Sequence, residues 1–222
     1  MPSNALGDFH IRIEEVNLLL DSGTKSRNSR EASMYAKCAV VLACAALERY
    51  MNDILEESCG KFNEQTWCDL SQGRQRYLLR HLALKMDERA LAFTGKNQPE
   101  QSDCQTLMNF VRVCNEALVN PSSWPYFTDF GMFGEGTNAP GKIDAVLRAF
   151  DSNGRSLYDF INGNGENLSR VLPGLSQLVQ TRHATAHALK GSTPPGPTDS
   201  IEWVGCAVTM AMSVDAFLGF DR

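Results

Sequence analysis

Two of the protein's four histidines lie beside an arginine in the segment LVQTRHATAHALKG. On an α-helix, which turns by about 100° per residue, Arg182 at 0° places Ala186 near 40°, His183 near 100° and His187 near 140°. One helix face then carries a guanidinium and two imidazoles around a small residue, so an oxyanion can approach the helix closely. Histidine can accept or donate a proton near neutrality, whereas arginine stays charged and presents a planar fork of donors. The segment is a candidate site for binding an anion and transferring protons.

The same Arg-x4-His spacing occurs a second time, between Arg76 and His81. A tyrosine and two leucines replace the small residues there, so an anion could not approach that helix as closely. We interpret this second stretch as an amphipathic helix with a solvated basic face.

A metal site is the alternative use of His183 and His187, because side chains four residues apart on a helix can bind one ion. A catalytic metal site usually has three protein ligands. The third would have to be His10, His81 or Glu48, each distant in sequence, and no second ligand pair is visible. We therefore predict no metal and no other cofactor.

Apolar residues recur three and four positions apart along most of the chain, and hardly any segment alternates with a period of two. This periodicity predicts an all-α fold. We expect helices at about 5 to 21, 29 to 59, 71 to 90, 102 to 118, 142 to 150, 166 to 189 and 200 to 218, with a looser segment, SLYDFING, after the fifth. Residues 1 to 222 are predicted to form a single helical domain with an aromatic, Gly- and Pro-rich insertion at about 119 to 165.

Several residues indicate where these helices begin. Asn28 followed by Glu31 is an Asn variant of the capping box, and Asp199 followed by Glu202 predicts the same cap for the last helix. Pro173 would either kink its helix or mark a restart at a first helical position. The sequence thus predicts two helix caps and, at Pro173, either a kink or a new helix start, which the structure can check.

Cysteine usage and hydropathy bear on the compartment. The seven cysteines are odd in number and include no CxxC pair, so we expect reduced, buried thiols that pack as small hydrophobes. The longest uncharged apolar run, from Cys38 to Leu47, is far shorter than the roughly 20 residues of a membrane-spanning helix. The amino terminus lacks the basic region of a secretory signal. We expect a cytoplasmic protein with no membrane partner.

The segment TRHATAHALKG resembles a motif of the HEPN superfamily, whose ribonucleases commonly carry Arg-Asn-x-x-Ala-His-Gly. Arg182, Ala186 and His187 match that form, His183 occupies the polar position, and Ala188 departs from the frequent glycine. The upstream stretch AVVLACAALERYMNDILEE is similar to an early helix of the superfamily that carries an acidic residue, here Glu48. The chain is most similar to HEPN nucleases of the RiboL-PSP type, over about residues 30 to 218.

The resemblance implies an all-α, up-and-down bundle of the HEPN type and a homodimer in which two copies of the motif share one composite site. It also implies a metal-independent endoribonuclease that leaves 2′,3′-cyclic phosphate ends. By this resemblance His187 is the general base or acid, Arg182 clamps the phosphate and His183 supports them. A toxin or antiviral effector, restrained by an antitoxin or inhibitor protein, is the biological role that follows by analogy.

Glu48 lies about 40° beyond Cys44 on the helical wheel, at the rim of the apolar face of its helix. It is a candidate for orienting Arg182 or a histidine. An ordinary surface salt bridge is the alternative.

RNA would have to bind despite a net charge of −5. Two basic groups could contact its phosphates, and either could instead be a solvated face. The first group is Arg74, Arg76, Arg80 and Lys85. The second is Lys25, Arg27, Arg30 and Lys37.

Two other interpretations stay open. A non-catalytic HEPN module would bind a nucleotide, RNA or a partner protein, although the retained Arg and His favour the enzyme. A purely structural role, in which the motif only pairs two protomers, would bring two arginines together across a dimer, and these repel unless an anion or carboxylate stands between them.

Overall fold

The computed structural model describes residues 1–60, 108, 111–112, 143–144, 147–148, 155–186 and 195–220. Five helices can be delimited there, and these ranges contain no strand, so the predicted all-α fold is confirmed. The helices are α1 (Asn4–Lys25), α2 (Ser29–Gly60), α3 (Leu157–Gly163), α4 (Leu168–Ala186) and α5 (Pro197–Phe217).

The first helix begins where the side chain of Ser3 accepts a hydrogen bond from the Leu6 amide. It runs past the predicted end at residue 21 and continues to Lys25. The Ser22-Gly23 pair does not stop the helix, and Gly23 lies inside it where α2 approaches closely. A Cβ at position 23 would lie only 3.2 Å from Tyr35 Cβ and 3.3 Å from the Ala32 carbonyl oxygen of α2.

Asn28 caps α2 as predicted, since its Oδ1 accepts hydrogen bonds from the amides of Arg30 and Glu31 at 3.0 and 3.3 Å. The return bond of a capping box is replaced by a relay through Ser26. The Asn28 amide donates to Ser26 Oγ, and that hydroxyl donates to the Glu31 carboxylate at 2.8 Å. The start of α2 is therefore held by a local network that also fixes the orientation of Glu31.

Two predictions about the later helices are corrected, and one of the two alternatives for Pro173 is excluded. The segment SLYDFING contains a regular helix, α3, because Ser156 caps it through the Tyr158 amide at 3.1 Å. Pro173 lies inside α4, so no new helix starts there. The cap of α5 is Gly196, followed by a proline that needs no amide partner in the first turn, and not Asp199.

The core lies among α1, α2, α4 and α5, which contribute most of its fully buried side chains. Tyr50 links two of these helices, because its hydroxyl donates to the Ala211 carbonyl of α5 at 2.8 Å and its ring contacts Phe9 of α1. The buried carboxylate of Asp215 in α5 accepts hydrogen bonds from the amide and hydroxyl of Ser3. The start of α1 and the end of α5 are therefore joined.

Part of the predicted organisation falls outside the described residues. The helix expected at 71 to 90 lies there, as does most of the insertion expected at 119 to 165. Of the helix expected at 102 to 118, the described residues Met108, Val111 and Arg112 are helical, and the others lie outside the described residues. In the helix expected at 142 to 150, Ile143, Asp144 and Leu147 are helical and buried. None of the helices in the described ranges is long and apolar enough to cross a membrane.

Candidate active site

Arg182, near the end of α4, forms a two-pronged ion pair with Glu48 of α2. Its Nη1 lies 2.9 Å from Glu48 Oε1, and its Nη2 donates to Oε2 at 3.2 Å. Such bidentate pairs fix the plane of the guanidinium as well as its position. The contacts use two of the five N–H donors of an arginine, and the Nε–H lies on another edge of the fork. The pair therefore orients Arg182 and leaves it donors for an anion.

One turn earlier, a second contact sets the register of the two helices. The thiol of Cys44 donates to the Leu178 carbonyl at 3.6 Å. Cys44 and Glu48 are four residues apart on α2, and Leu178 and Arg182 are four residues apart on α4. The helices therefore run in the same direction where they pack. Several of the α2 side chains that are buried in the core are small, among them those of Ala39 and Ala43, so the helix takes up little volume there.

Cys44 lies one turn before Glu48 on α2, and both charges of the ion pair act on its thiol. Its side chain is fully buried, and burial raises the pKa of its thiol to about 12, with Arg182 opposing the rise and Glu48 adding to it. The thiol stays protonated at neutral pH, so it is not a nucleophile.

The ion pair itself remains partly accessible. The Arg182 and Glu48 side chains expose 29% and 26% of their surfaces. By contrast, the Arg170–Glu202 pair between α4 and α5 exposes 66% and 51%. The Arg182–Glu48 pair is thus neither a fully solvated surface bridge nor a sealed one.

The structure brings together some of the predicted site residues. Arg182 and Glu48 are in contact, and His183 follows Arg182 on α4, half-buried. His187 lies just beyond the last described residue of α4, outside the described residues. The first predicted basic group also lies outside them, namely Arg74, Arg76, Arg80 and Lys85, whereas the second group lies in the described residues.

Glu48 was ambiguous in the sequence between orienting Arg182, orienting a histidine and making a surface bridge. In the described part of the chain it contacts Arg182, with both side chains partly exposed. The role of Cys44 in setting the helix register was missed, because nothing in the sequence says which residue of α4 faces it. Cys44 and Cys206 are buried as expected, but Cys38 is exposed, because it lies on the outer face of α2.

Within the described ranges, no group of three or more His, Cys, Asp and Glu side chains could hold a metal ion. The guanidinium of Arg182 and the carboxylate that contacts it carry opposite charges, which balance each other. This arrangement can bind an anion through the remaining guanidinium donors.

The family model of RiboL-PSP-HEPN matches residues 8–218. The chain belongs to the RiboL-PSP-HEPN family. The match begins at residue 8 and so takes in most of α1, which the motif-based resemblance from about residue 30 had left out. Comparisons with curated proteins and with solved structures found no significant match.

In this RiboL-PSP-HEPN chain, the matched region contains both partners of the ion pair and all of α4. Glu48 and Arg182 are the residues that the sequence resemblance singled out in the early helix and at the start of the motif. The contact between them joins the two sequence features that carried the resemblance.

Proposed function

We propose that this protein is a metal-independent endoribonuclease whose site contains Arg182 and His187. The observation that carries the proposal is the oriented, partly accessible guanidinium of Arg182, which the Glu48 carboxylate holds at 2.9 Å. Membership of a HEPN family supports it, since HEPN modules often act on RNA. The position of two histidines within five residues of Arg182 supplies groups that can transfer protons.

The reaction we propose is an internal transesterification. A base removes the proton of a ribose 2′-OH, the 2′ oxygen forms a bond to phosphorus, and the bond from phosphorus to the 5′ oxygen breaks. An acid protonates the departing 5′ oxygen. The products are a 2′,3′-cyclic phosphate and a 5′-OH, with no water, metal or redox partner consumed.

The residues divide these tasks by their chemistry. Arg182 binds the phosphate and stabilises the charge that builds on its oxygens, because it stays protonated at all relevant pH values. His187 acts as general base or general acid, since histidine titrates near neutrality. His183 supports them, and Glu48 keeps Arg182 in one orientation.

One copy of the motif carries one arginine, Arg182, and one motif histidine, His187, whereas the reaction needs an acid and a base at once. A homodimer with a composite site would supply both. By analogy with HEPN nucleases, the role we propose is that of a toxin or defence effector, held in check by an antitoxin or inhibitor protein.

The test is cleavage of mixed cellular RNA in excess EDTA by the unaltered protein and by the His187→Ala and Arg182→Ala variants. We expect cutting by the unaltered protein and a loss of at least about 100-fold in each variant, the scale on which general acid–base groups act. Cleavage that EDTA abolishes, or that survives in both variants, would overturn the assignment. RNA binding without cleavage by any of the three proteins would favour the non-catalytic module.

A further inference from the structure

A concave region of about 580 Å³ lies at the start of α2, well before Glu48 in the sequence. Its lining includes two basic side chains, two hydroxyls and one flexible apolar side chain. These residues are Ser29, Arg30, Ser33, Met34 and Lys37. Lysine, arginine and serine are among the side chains that contact nucleic-acid phosphates.

The positive charge of this concavity is not neutralised by neighbouring carboxylates in the described part of the chain. Neither Arg30 nor Lys37 forms an ion pair there. The nearest acid in sequence, Glu31, accepts a hydrogen bond from the Ser26 hydroxyl at 2.8 Å and, within the described residues, forms no ion pair with either cation. The stretch from residue 25 to 37 holds four cations and one acid, in a protein whose net charge is −5. This stretch therefore carries a local excess of positive charge, although the net charge of the whole protein is negative.

The concavity lies on the same face of α2 as the candidate active site. Lys37 follows Arg30 by seven residues and Glu48 follows Lys37 by eleven, so at about 100° per residue all three fall within about 20° of one line. At about 1.5 Å per residue, Lys37 lies about 16 Å along the helix axis from Glu48. A single strand that passes Arg182 can reach Lys37 without leaving this face.

Met34 adds a feature that a simple ion cluster lacks. Its side chain is 57% exposed between the two cations. Methionine is flexible and polarisable, and it packs against aromatic rings. A nucleobase next to the bound phosphate would cover this exposed apolar surface.

We propose that the concavity at Arg30 and Lys37 is a second binding site for the substrate RNA, which holds backbone phosphates away from the cleaved bond. The inference rests on the proposed function, because it takes the substrate to be single-stranded RNA. The strand runs along α2 with one phosphate at Arg182 and others at Arg30 and Lys37. The two serine hydroxyls donate to the same phosphates, and Met34 packs against a base. The site contributes affinity and register but no chemistry.

The test is the salt dependence of RNA binding by the Arg30→Gln/Lys37→Gln double variant. The probe is a single-stranded RNA of mixed sequence, and every protein also carries His187→Ala so that the probe stays intact. Each phosphate contact on a single strand contributes about 0.7 to the slope of log affinity against log salt concentration. We expect the double variant to lower that slope by about 1.4.

The matched control is Arg12→Gln/Arg170→Gln, which removes the same two charges from exposed positions on α1 and α4. We expect this control to keep the slope of the unaltered protein. Equal slopes in both double variants, or no RNA binding by the reference protein, would overturn the second site. Circular dichroism establishes that each variant is folded before it is compared.

The binding slopes and a separate cleavage assay of the unaltered protein together distinguish this proposal from the nuclease proposal. A lowered slope specific to Arg30 and Lys37, together with no cleavage by the unaltered protein, supports the second site and overturns the nuclease. Cleavage by the unaltered protein with equal slopes overturns the second site alone.

Discussion

At the residue scale, Arg182 can recognise a phosphate only if its guanidinium keeps one orientation. The bidentate contact with Glu48 supplies that orientation, and one turn earlier the thiol of Cys44 donates to the Leu178 carbonyl. The carboxylate also lowers the net positive charge at Arg182. An incoming phosphate would therefore be held more by hydrogen-bond donors of fixed direction than by a strong electrostatic attraction. Glu48 is therefore a positioning residue in this account.

Replacing Glu48 by Gln should lower kcat/KM for RNA cleavage by up to about 100-fold, because small displacements of a positioned group are costly to catalysis. The free energy of unfolding should fall by no more than about 1 kcal/mol, since both partners are partly exposed. Steady-state kinetics and urea unfolding measure the two effects.

Glu202→Gln is the matched control, because it breaks the other Arg–Glu pair between α4 and a neighbouring helix. We expect it to leave kcat/KM unchanged. Equal activity of the two variants would reduce the Arg182–Glu48 pair to a structural contact.

The thiols of α2 should differ in reactivity. Burial raises the pKa of Cys44 from 9.0 to about 12, so this thiol stays protonated in the folded protein at about pH 8, whereas Cys38 is exposed. Iodoacetamide at about pH 8 should therefore modify Cys38 and spare Cys44 until the protein unfolds, as peptide mass spectrometry would show. Equal modification of both in the folded protein would contradict the burial of Cys44.

The raised pKa of Cys44 also determines how this group's contribution to stability changes with pH. The unfolded chain loses the Cys44 proton near pH 9, while the folded chain keeps it to about pH 12. The contribution of this group to stability is therefore complete below about pH 9 and declines as the pH rises towards 12.

At the element scale, the approximate positions of the described helices were largely predictable, because apolar periodicity indicates a helix over many residues at once. The ends were less predictable. Gly23 reads as a helix breaker in isolation, yet it lies inside α1 where two other helices approach it. The cap of α5 was misplaced for a similar reason: Asp199 has the residue type of a cap, but the chain already becomes helical at Pro197.

The packing of α4 against α5 depends on one small residue. A side chain added at Gly174 would collide with the sulfur and Cβ of Cys206. We expect Gly174→Ala to lower the free energy of unfolding by about 1 to 3 kcal/mol, the usual cost of overpacking. Gly7, on the exposed side of α1, has open space around it, so Gly7→Ala should raise that free energy by about 0.5 to 1 kcal/mol.

Urea unfolding of the two alanine variants tests this contrast, because both substitutions improve helix propensity equally and only one meets a neighbour. A gain in stability at Gly174 would contradict the close approach of α4 and α5.

At the scale of the whole molecule, the candidate site joins segments 134 residues apart in sequence. The sequence identified both partners, since Arg182 belongs to a recognisable motif and Glu48 to a helix-forming stretch. It could not show that Arg182 and Glu48 are in contact, because that contact depends on the register in which α2 and α4 pack. The contact of Cys44 with Leu178 sets this register, and local sequence carries no signal of it.

A composite site makes a prediction about mixed protomers. If each active site draws on two copies of α4, mixing the inactive Arg182→Ala and His187→Ala proteins should restore part of the activity in the mixed dimers. RNA cleavage by the mixture, with each variant alone as the control, measures it. Absence of any recovery, with mixed dimers demonstrated by native mass spectrometry, would argue for a site within one chain.

The chemical nature of the RNA ends tests the central claim most directly. The unaltered protein, purified and assayed in excess EDTA, should leave 2′,3′-cyclic phosphate and 5′-OH ends, because the proposed reaction uses the ribose 2′-OH as nucleophile and no metal-bound water. Products with 3′-OH and 5′-phosphate ends, or equal cleavage of a strand whose 2′-OH groups have been replaced by hydrogen, would contradict it.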